Sequence, residues 1–219
     1  RHELSITAVR DSNLQISHFV GMLQDITDRY QAQEMIRHRA LHDELTGLPS
    51  RAMLLEKVNS ALALAELQGG HVGLLFLDLN GFKPVNDQHG HAAGDRVLRL
   101  VAQRLRGAIH AEDLVARLGG DEFVVLVPRA IDLEQLRSCA QKVQAVIRGS
   151  GDAFDIPVSI SASIGIALSP DHGITAGQLL AAADEAMYRA KQGECGGIAM
   201  ARLQEASTDG SLVMELRHG

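Results

Sequence analysis

Tryptophan is absent from this chain, and aromatic residues together make up only 3% of its 219 positions. Cysteine is also scarce, since Cys139 and Cys195 are its two occurrences. Two cysteines are too few for a disulfide framework and indicate a reducing compartment, so we expect a cytoplasmic location. Because 46% of the residues are nevertheless hydrophobic, the chain can bury a substantial core, which must be built from Leu, Val, Ile and Ala.

Long apolar runs and an excess of positive charge are missing as well. No run approaches the ~20 apolar residues that a membrane-spanning helix requires, and no segment resembles a signal peptide. We therefore expect no membrane segment in this chain, which leaves open an anchor elsewhere in a longer parent protein. The formal net charge of -6 argues against a general nucleic-acid-binding protein. An acidic protein that handles phosphates needs metal ions or local cations instead.

The most informative stretch is RLGGDEFVVLV, residues 117–127. Its Val-rich second half predicts a buried strand, and Gly119 and Gly120 predict a turn before it. We therefore predict a hairpin with Asp121 and Glu122 at its tip, where two adjacent carboxylates repel each other. A divalent cation would relieve that repulsion, and a solvated hairpin tip is the alternative interpretation. The predicted hairpin strands are Leu114 to Leu118 and Phe123 to Val127.

Hydrophobic periodicity predicts the other elements of the globular part. The predicted helices cover residues 51–67, 95–109, 132–147 and 176–191, and the predicted strands cover 71–79, 156–168 and 198–201. Residues 80–94 are predicted to form a loop. Ser50 and Asp132 are candidate helix caps, and Thr175 with Gln178 has the pattern of a capping box. The predicted fold class is therefore α/β (α+β), a mixed central β-sheet flanked by helices.

The two ends of the chain have patterns that differ from those of the globular part. Residues 1–28 contain two strand patterns around a turn at residues 11–13, which predicts a hairpin that is marginal by itself. Residues 29–42 predict a connecting helix with apolar spacings compatible with a two-helix seam, or else a solvated linker. Residues 211–218 have the pattern of the start of a further helix.

Several separated motifs resemble one family in both order and spacing. They are Asp43-Glu44-Leu45-Thr46-Gly47-Leu48-Pro49, Asp78-Leu79-Asn80-Gly81-Phe82-Lys83, Asn86-Asp87, His91 with Gly94-Asp95, Arg117-Leu118-Gly119-Gly120-Asp121-Glu122-Phe123 and Asp184-Glu185-Ala186-Met187-Tyr188-Arg189-Ala190-Lys191. The chain thus resembles a GGDEF domain of the diguanylate cyclase family over residues 43–200. The resemblance implies a fold similar to the palm of nucleotidyl cyclases and polymerases.

The resemblance also implies a division of the chain. Residues 1–28 resemble the C-terminal end of a PAS domain, and residues 29–42 correspond to a connecting signalling helix. Residues 43–203 correspond to the GGDEF domain. Residues 204–219 resemble a linker toward a downstream EAL phosphodiesterase domain. PAS and EAL domains are therefore expected attached partners.

By the same resemblance, the expected activity joins two GTP molecules into cyclic di-GMP with loss of two pyrophosphates, in a two-fold homodimer. The expected metal is Mg²⁺, with Mn²⁺ as an alternative. These hard cations prefer oxygen ligands, which carboxylates and phosphates both supply. Asp78, the Leu79 carbonyl and Asp121 would hold the metal, and Asp121 would also accept the proton. Glu122 is the second catalytic candidate, and Lys83 would stabilise transition-state charge.

The expected substrate-binding residues fall into a guanine group and a phosphate group. Asp95 can accept both the N1–H and the 2-amino group of guanine, which adenine does not offer as a pair. The alternative role of Asp95 is the N-cap of the predicted helix 95–109. The guanine group is Asn86, His91 and Asp95, and the phosphate group is Phe82, Gly119, Gly120 and Lys191.

Two departures from the family pattern bear on function. An inhibitory product site R-x-x-D reads His110-Ala111-Glu112-Asp113 here, so we expect weak or absent product inhibition. The turn after Lys191 lacks the family's arginine, since it reads Gln192-Gly193-Glu194-Cys195-Gly196-Gly197. A catalytically weak or inactive GTP-binding domain that regulates an attached EAL phosphodiesterase is therefore the alternative to an active cyclase. A pure dimerisation module is a third interpretation.

Overall fold

The computed structural model describes residues 1–10, 14–148, 159–193 and 197–203. In chain order, the elements are β1 (His2–Arg10), β2 (Ile16–Asp25), α1 (Thr27–Leu41), α2 (Arg51–Gln68), β3 (His71–Asn80), α3 (Phe82–His89), α4 (His91–Ala108), β4 (Leu114–Gly119), β5 (Glu122–Ala130), α5 (Leu133–Arg148), β6 (Ser161–Ser169), α6 (Ala176–Lys191) and β7 (Ile198–Met200). This mixed α/β arrangement confirms the predicted fold class.

A five-stranded sheet forms the centre of the globular part, in the order β4-β5-β3-β6-β7. Its strands pair antiparallel except for β6 and β7, which are parallel. Strand β3 lies in the middle and is buried from Val72 to Leu79, which is why its sequence is an almost continuous apolar run. The sheet confirms the predicted hairpin, because β4 and β5 are joined by the turn at Gly120-Asp121.

Helices cover both faces of the sheet, and alternate residues of β3 separate the two layers. Leu75 and Leu77 pack with the apolar residues of α4 and α5. Leu74 and Phe76 point the other way and pack with α2 and α6. Because side chains alternate along a strand, Asp78 shares the α2–α6 side of the sheet with Leu74 and Phe76. The fold therefore places this acid beside α6, at the end of the central strand.

The predicted helix caps are largely confirmed. The Thr175 hydroxyl accepts the Gln178 N–H and the Gln178 side chain accepts the Thr175 N–H, which completes the capping box of α6. The Asp132 carboxylate accepts the Gln135 N–H at 2.8 Å. Ser50 occupies the N-cap position of α2, but its hydroxyl donates to the Ala40 carbonyl at 2.8 Å and makes no cap hydrogen bond.

The predicted loop at residues 80–94 is wrong, since this stretch forms α3 and the start of α4. Pro84 obscured the helix, although a proline in the first helical turn costs nothing because its missing N–H has no partner there. Phe82 and Val85, three residues apart, bury the inner face of α3. Helix α4 begins at His91 with Gly90 at its N-cap, so Asp95 lies inside the helix and is not its cap.

The ends of the chain agree with the predicted elements where they are described. Strands β1 and β2 form the expected antiparallel hairpin, with Leu4 opposite Leu23, and both side chains are exposed. The connecting helix is α1, which begins two residues before the predicted start. The predicted turn at 11–13, the first residues of the predicted strand 156–168 and the segment 204–219 lie outside the described residues. Among the described helices, none is long and apolar enough to cross a membrane.

Helix α6 packs directly on β6 at Gly165. A Cβ placed on this glycine would lie 1.9 Å from the Ala183 carbonyl oxygen and 2.3 Å from the Met187 nitrogen. Both atoms belong to the α6 backbone, so no side-chain movement can relieve the overlap. The position therefore requires glycine because of close approach between elements, and it fixes how α6 sits on the sheet.

We therefore expect Gly165→Ala to lower the free energy of unfolding by about 3 kcal/mol, the upper end of the range for overpacking. Urea unfolding measures the change. Gly177→Ala in the same helix is the matched control, because a Cβ there meets no atom within 4 Å. That variant should be as stable as the wild type or slightly more stable. Equal midpoints for Gly165→Ala and the wild type would contradict the packing described here.

Candidate active site

The pairing of β3 with β5 brings the predicted metal-binding acids to one edge of the sheet. Asp78 lies opposite Glu122 in the antiparallel register. The Leu79 N–H donates to the Asp121 carbonyl oxygen at 3.3 Å, so the backbones of the strand end and the hairpin tip are in contact. Asp78 is 8% exposed, although it is charged. The carboxylates of the central strand and the hairpin therefore lie together at this edge.

The hairpin tip leaves room beside its glycines. Gly119 has a φ of 148° and Gly120 has a φ of 50°. Glycine adopts such positive φ values without the steric cost that a Cβ would add. No described atom lies within 4 Å of a Cβ placed on either glycine. A ligand can thus approach the backbone of this turn, as the sequence predicts.

The acids influence one another electrostatically. Burial raises the pKa of Asp121, and the negative charge of Asp78 raises it further. Burial also raises the pKa of Glu122, with added repulsion from Asp184, Asp78 and Asp121, while Arg51 acts in the opposite direction. Such mutual repulsion between carboxylates is the condition that a bound cation relieves. Sequence analysis did not identify the influence of Asp184 and Arg51 on Glu122, because these residues lie on separate helices.

Lys191 already supplies one positive charge to this group. Its Nζ donates to Asp78 Oδ1 at 2.7 Å from the last residue of α6. This hydrogen bond to Asp78 raises the pKa of Lys191, although partial burial opposes the shift. The sequence predicts a phosphate-binding role for Lys191, and it gives no sign of this contact across 113 positions of chain.

Arg117 connects the hairpin tip to the start of the globular part. Its guanidinium donates to both carboxylate oxygens of Asp43 at 2.9 Å. Its Nε and second amino group donate to the Gly120 carbonyl at 3.1 and 2.7 Å. Asp43 also accepts hydrogen bonds from the N–H and hydroxyl of Thr46. Both residues belong to motifs identified in the sequence, but no sequence pattern pairs them.

Asn80 extends the polar surface beyond Asp78. Its side-chain amide donates to Ser163 at 3.0 Å and to Ser161 at 3.3 Å. Ser163 is 2% exposed and lies directly opposite Asp78 in the pairing of β3 with β6. The buried Asp78 carboxylate therefore has neutral polar neighbours on its β6 side, whereas the hairpin acids lie on its β5 side.

The predicted guanine-binding residues lie on the helical pair that follows β3. Asn86 on α3 packs against α4, because a Cβ on Gly94 would lie 2.0 Å from Asn86 Oδ1. The structure therefore brings Asn86 next to Asp95, the neighbour of Gly94, and both side chains are partly exposed. His91 is exposed at the first position of α4.

The remaining predicted substrate residues in this region divide between core and surface. Lys83 is exposed in the first turn of α3. The Phe82 side chain is 8% exposed and belongs to the hydrophobic core. Any contact of Phe82 with substrate must therefore come from its backbone.

The donor atoms at the sheet edge fit a hard divalent cation. Within the described residues, no group of three or more His, Cys, Asp and Glu side chains is arranged to hold a metal ion. Asp78 and Asp121 nevertheless offer two carboxylates at one point. Mg²⁺ is commonly held by one or two carboxylates together with substrate phosphates and water. The site is therefore suited to an ion that arrives with a phosphate ligand.

A separate cavity of about 190 Å³ lies on the opposite layer, between α4 and α5. His110, Asp113, Cys139 and Lys142 are among its lining residues. The His110 N–H donates to Asp113 Oδ2 at 3.1 Å, and burial raises the pKa of Asp113. Burial also raises the pKa of the Cys139 thiol. This is the position at which the sequence predicts a weakened product site.

Comparison with known proteins identifies relatives of this arrangement. The family model described as diguanylate cyclase, GGDEF domain, matches residues 40–195. The diguanylate cyclase TpbB of Pseudomonas aeruginosa is 41% identical over 200 residues, which cover 87% of this chain and 45% of TpbB. MucR of the same species, a bifunctional diguanylate cyclase and cyclic di-GMP phosphodiesterase, is 40% identical over 87% of this chain and 27% of its own length. The chain thus spans less than half the length of these curated relatives.

Solved structures show the same fold. The crystal structure of the GGDEF domain of TpbB superposes with a TM-score of 0.67 and 40% identity, covering 72% of this chain and 99% of that domain. The coiled coil and GGDEF domain of DgcB from Caulobacter crescentus, in complex with cyclic di-GMP, gives a TM-score of 0.67 at 25% identity. That comparison covers 80% of this chain and 93% of the DgcB chain.

We expect Asp43→Asn to lower the free energy of unfolding by about 1–3 kcal/mol at pH 7, because Arg117 loses a charged partner. Burial opposes ionisation of Asp43, but the hydrogen bonds from Thr46 and Arg117 together lower its pKa. A carboxylate whose pKa is lowered in the folded state stabilises that state fully above the unfolded-state pKa of ~3.9. This stabilisation is lost as the pH falls through the folded-state pKa. The difference between the variants should therefore be constant from about pH 7 to 5 and shrink below ~4.

Urea unfolding at a series of pH values measures this difference. Glu44→Gln is the matched control, since Glu44 and Arg39 form an ion pair at 3.6 Å with both side chains 76% exposed. That change should alter stability by less than ~0.5 kcal/mol. An Asp43→Asn variant as stable as Glu44→Gln at neutral pH would show that the Arg117 contacts contribute nothing.

Proposed function

Because this chain belongs to the diguanylate cyclase GGDEF domain family, we propose that it condenses two GTP molecules into cyclic di-GMP with release of two pyrophosphates. The observation that supports this most strongly is the meeting of Asp78 and Asp121 at one sheet edge, beside the Lys191 ammonium. The proposal concerns the GGDEF domain itself, since the relatives are much longer proteins.

The reaction requires activation of a poor nucleophile against a strongly anionic substrate. Each 3′-hydroxyl oxygen attacks the α-phosphate of the other GTP, the bond to the β-phosphate breaks, and pyrophosphate leaves. Bound Mg²⁺, or Mn²⁺ in its place, would lower the pKa of the hydroxyl and neutralise phosphate charge. In the proposed site, Asp78, the Leu79 carbonyl and Asp121 hold the metal. Asp121 also receives the hydroxyl proton.

The remaining residues bind the two ends of the nucleotide. Glu122 is the second acid of the proposed catalytic group. Lys83 and Lys191 neutralise phosphate charge, and Lys83 stands in the first turn of α3, where backbone N–H groups favour anions. The turn at Gly119-Gly120 leaves space for close approach of the phosphates, and the Phe82 backbone is proposed to contact them.

Guanine selection is proposed for the α3–α4 pair. Asp95 accepts the N1–H and the 2-amino group, Asn86 adds an amide contact, and His91 lines the same pocket. The packing of the Asn86 amide against Gly94 supports this assignment, because Asp95 is the next residue of α4. A base without the paired donors would leave the Asp95 carboxylate unsatisfied.

One domain binds one GTP in this proposal, so two copies must face each other in a two-fold dimer. Helix α1 would set how the two GGDEF copies meet. In this proposal it is a signalling helix that connects residues 1–28, the end of a PAS-like domain, to the GGDEF domain at 43–203. The exposed apolar residues of the β1–β2 hairpin, such as Leu4 and Phe19, are those that the rest of a PAS-like domain would cover. Residues 204–219 are the proposed linker toward an EAL domain.

A GTP-binding domain that regulates an attached phosphodiesterase is the second candidate. The observation that favours it is the turn at 192–197, which lacks an arginine and contains Glu194. Part of this turn lies outside the described residues. MucR combines both activities in one protein. In this alternative the same residues bind GTP, but turnover is slow or absent.

Incubation of the chain with GTP and Mg²⁺ tests the proposal, with chromatographic detection of cyclic di-GMP and pyrophosphate. We expect product from the wild type and a loss of at least about 10²-fold in rate for Asp121→Asn, which removes a metal ligand and the proton acceptor. Asp171→Asn, an exposed aspartate after the cis bond Ser169-Pro170, is the matched control and should retain the wild-type rate. GTP binding without turnover selects the regulatory alternative, and binding of neither GTP nor Mg²⁺ rejects both.

Product binding should be weak at the His110–Asp113 position. A histidine lacks the bidentate guanidinium fork that an arginine would present. Calorimetric titration with cyclic di-GMP measures the affinity, and His110→Arg should tighten it by about tenfold or more. Tight binding by the wild type that is lost in Asp113→Ala would refute this expectation.

A further inference from the structure

The contact between Lys191 and Asp78 conflicts with the proposed metal role of the same carboxylate. The ammonium lies 2.7 Å from Asp78 Oδ1, and the aspartate side chain is only 11% exposed. A carboxylate enclosed to this degree has little free surface for a second cation. An ammonium and a divalent ion on one carboxylate also repel each other strongly in a partly desolvated site.

The two partners differ in their freedom to move. Asp78 lies in the central strand, between its pairing partners Glu122 and Ser163. The Lys191 side chain is 47% exposed and ends a four-carbon stem at the last position of α6. Because Gly165 fixes α6 on the sheet, the Lys191 backbone stays in place while its stem can reorient. Displacement must therefore move the lysine and not the aspartate.

The other cations near the acids are held elsewhere. Arg117 donates to Asp43 and to the Gly120 carbonyl. Arg51 acts on Glu122 from the first position of α2. Among the positive groups described at this edge, Lys191 is therefore the one that hydrogen-bonds to Asp78.

We propose that Lys191 acts as an internal cation that occupies Asp78 in the resting site and must leave it when a divalent metal binds. This inference deepens the proposed function and rests on it, because it takes Asp78 as a metal ligand. In the metal-free site the ammonium limits the repulsion among Asp78, Asp121 and Glu122. Once released, the same ammonium is free for the triphosphate.

The exchange couples two binding events. Metal binding breaks the Lys191–Asp78 hydrogen bond. The nucleotide-free domain therefore binds the metal more weakly than the same ligands would without the lysine. A nucleotide that provides phosphate oxygens for the displaced ammonium restores that loss. Metal and GTP therefore raise each other's affinity through Lys191, in addition to any direct contact between them. This coupling would keep the metal affinity of the site low until GTP binds.

Titration of the nucleotide-free chain with Mn²⁺, followed by electron paramagnetic resonance of the free ion, tests the inference. We expect Lys191→Met to bind Mn²⁺ about tenfold more tightly than the wild type, equivalent to about 1.4 kcal/mol. Asp78→Asn should weaken binding in either background. Arg51→Gln is the matched control, since it removes a nearby charge that acts on Glu122, and it should change the affinity less than about twofold.

A merely structural lysine predicts the opposite result, because loss of its contact would leave the metal affinity unchanged or lower. Equal affinities for Lys191→Met and the wild type, or equal gains in Lys191→Met and Arg51→Gln, would overturn the inference. If Asp78→Asn still weakens Mn²⁺ binding in that case, the proposed metal site stands and only the exchange fails. If Asp78→Asn has no effect, or if Lys191→Met binds no Mn²⁺, the inference also fails, and the cyclic di-GMP assay then decides the proposed function separately.

Discussion

The register between β3 and β5 is the constraint on which the site depends. It places Asp78 opposite Glu122, next to the hairpin turn that carries Asp121. A slip of one residue would turn Asp78 into the layer of α4 and α5 and separate it from α6. The alternating packing of Leu74 and Leu75 into different helical layers prevents such a slip, because every apolar side chain of the strand would change sides. Core packing thus determines the position of the chemistry.

A balance of charge at the sheet edge follows from that register. Lys191 reaches the carboxylate of the central strand, and Arg117 holds the hairpin tip from the side. The Arg117 contacts also tie the tip to Asp43, which follows the connecting helix α1. The turn that bears Asp121 is therefore attached to the chain two residues after the end of α1.

Sequence reasoning predicted the strands and most helices from local periodicity, and it predicted the hairpin from the turn at Gly119-Gly120. The meeting of Asp78 with Asp121 was implied by the family resemblance alone, because it depends on the pairing of β3 with β5. Sequence reasoning failed at residues 80–94, where Pro84 and Gly94 suggested a loop. Both residues fit helices, since Pro84 lies in a first turn and Gly94 gives space to Asn86. Contacts made by long side chains across the fold, including that of Lys191, could not be predicted, because they depend on where α6 ends relative to β3.

The central claim is that Asp78 and Asp121 hold a metal against the triphosphate of GTP. Crystals grown with Mn²⁺ and a non-hydrolysable GTP analogue, measured at the manganese absorption edge, test it most directly. We expect an anomalous peak within about 2.0–2.4 Å of both carboxylates, with phosphate oxygens completing the coordination. A nucleotide bound with its phosphates away from this edge, or a peak that touches neither aspartate, would contradict the account.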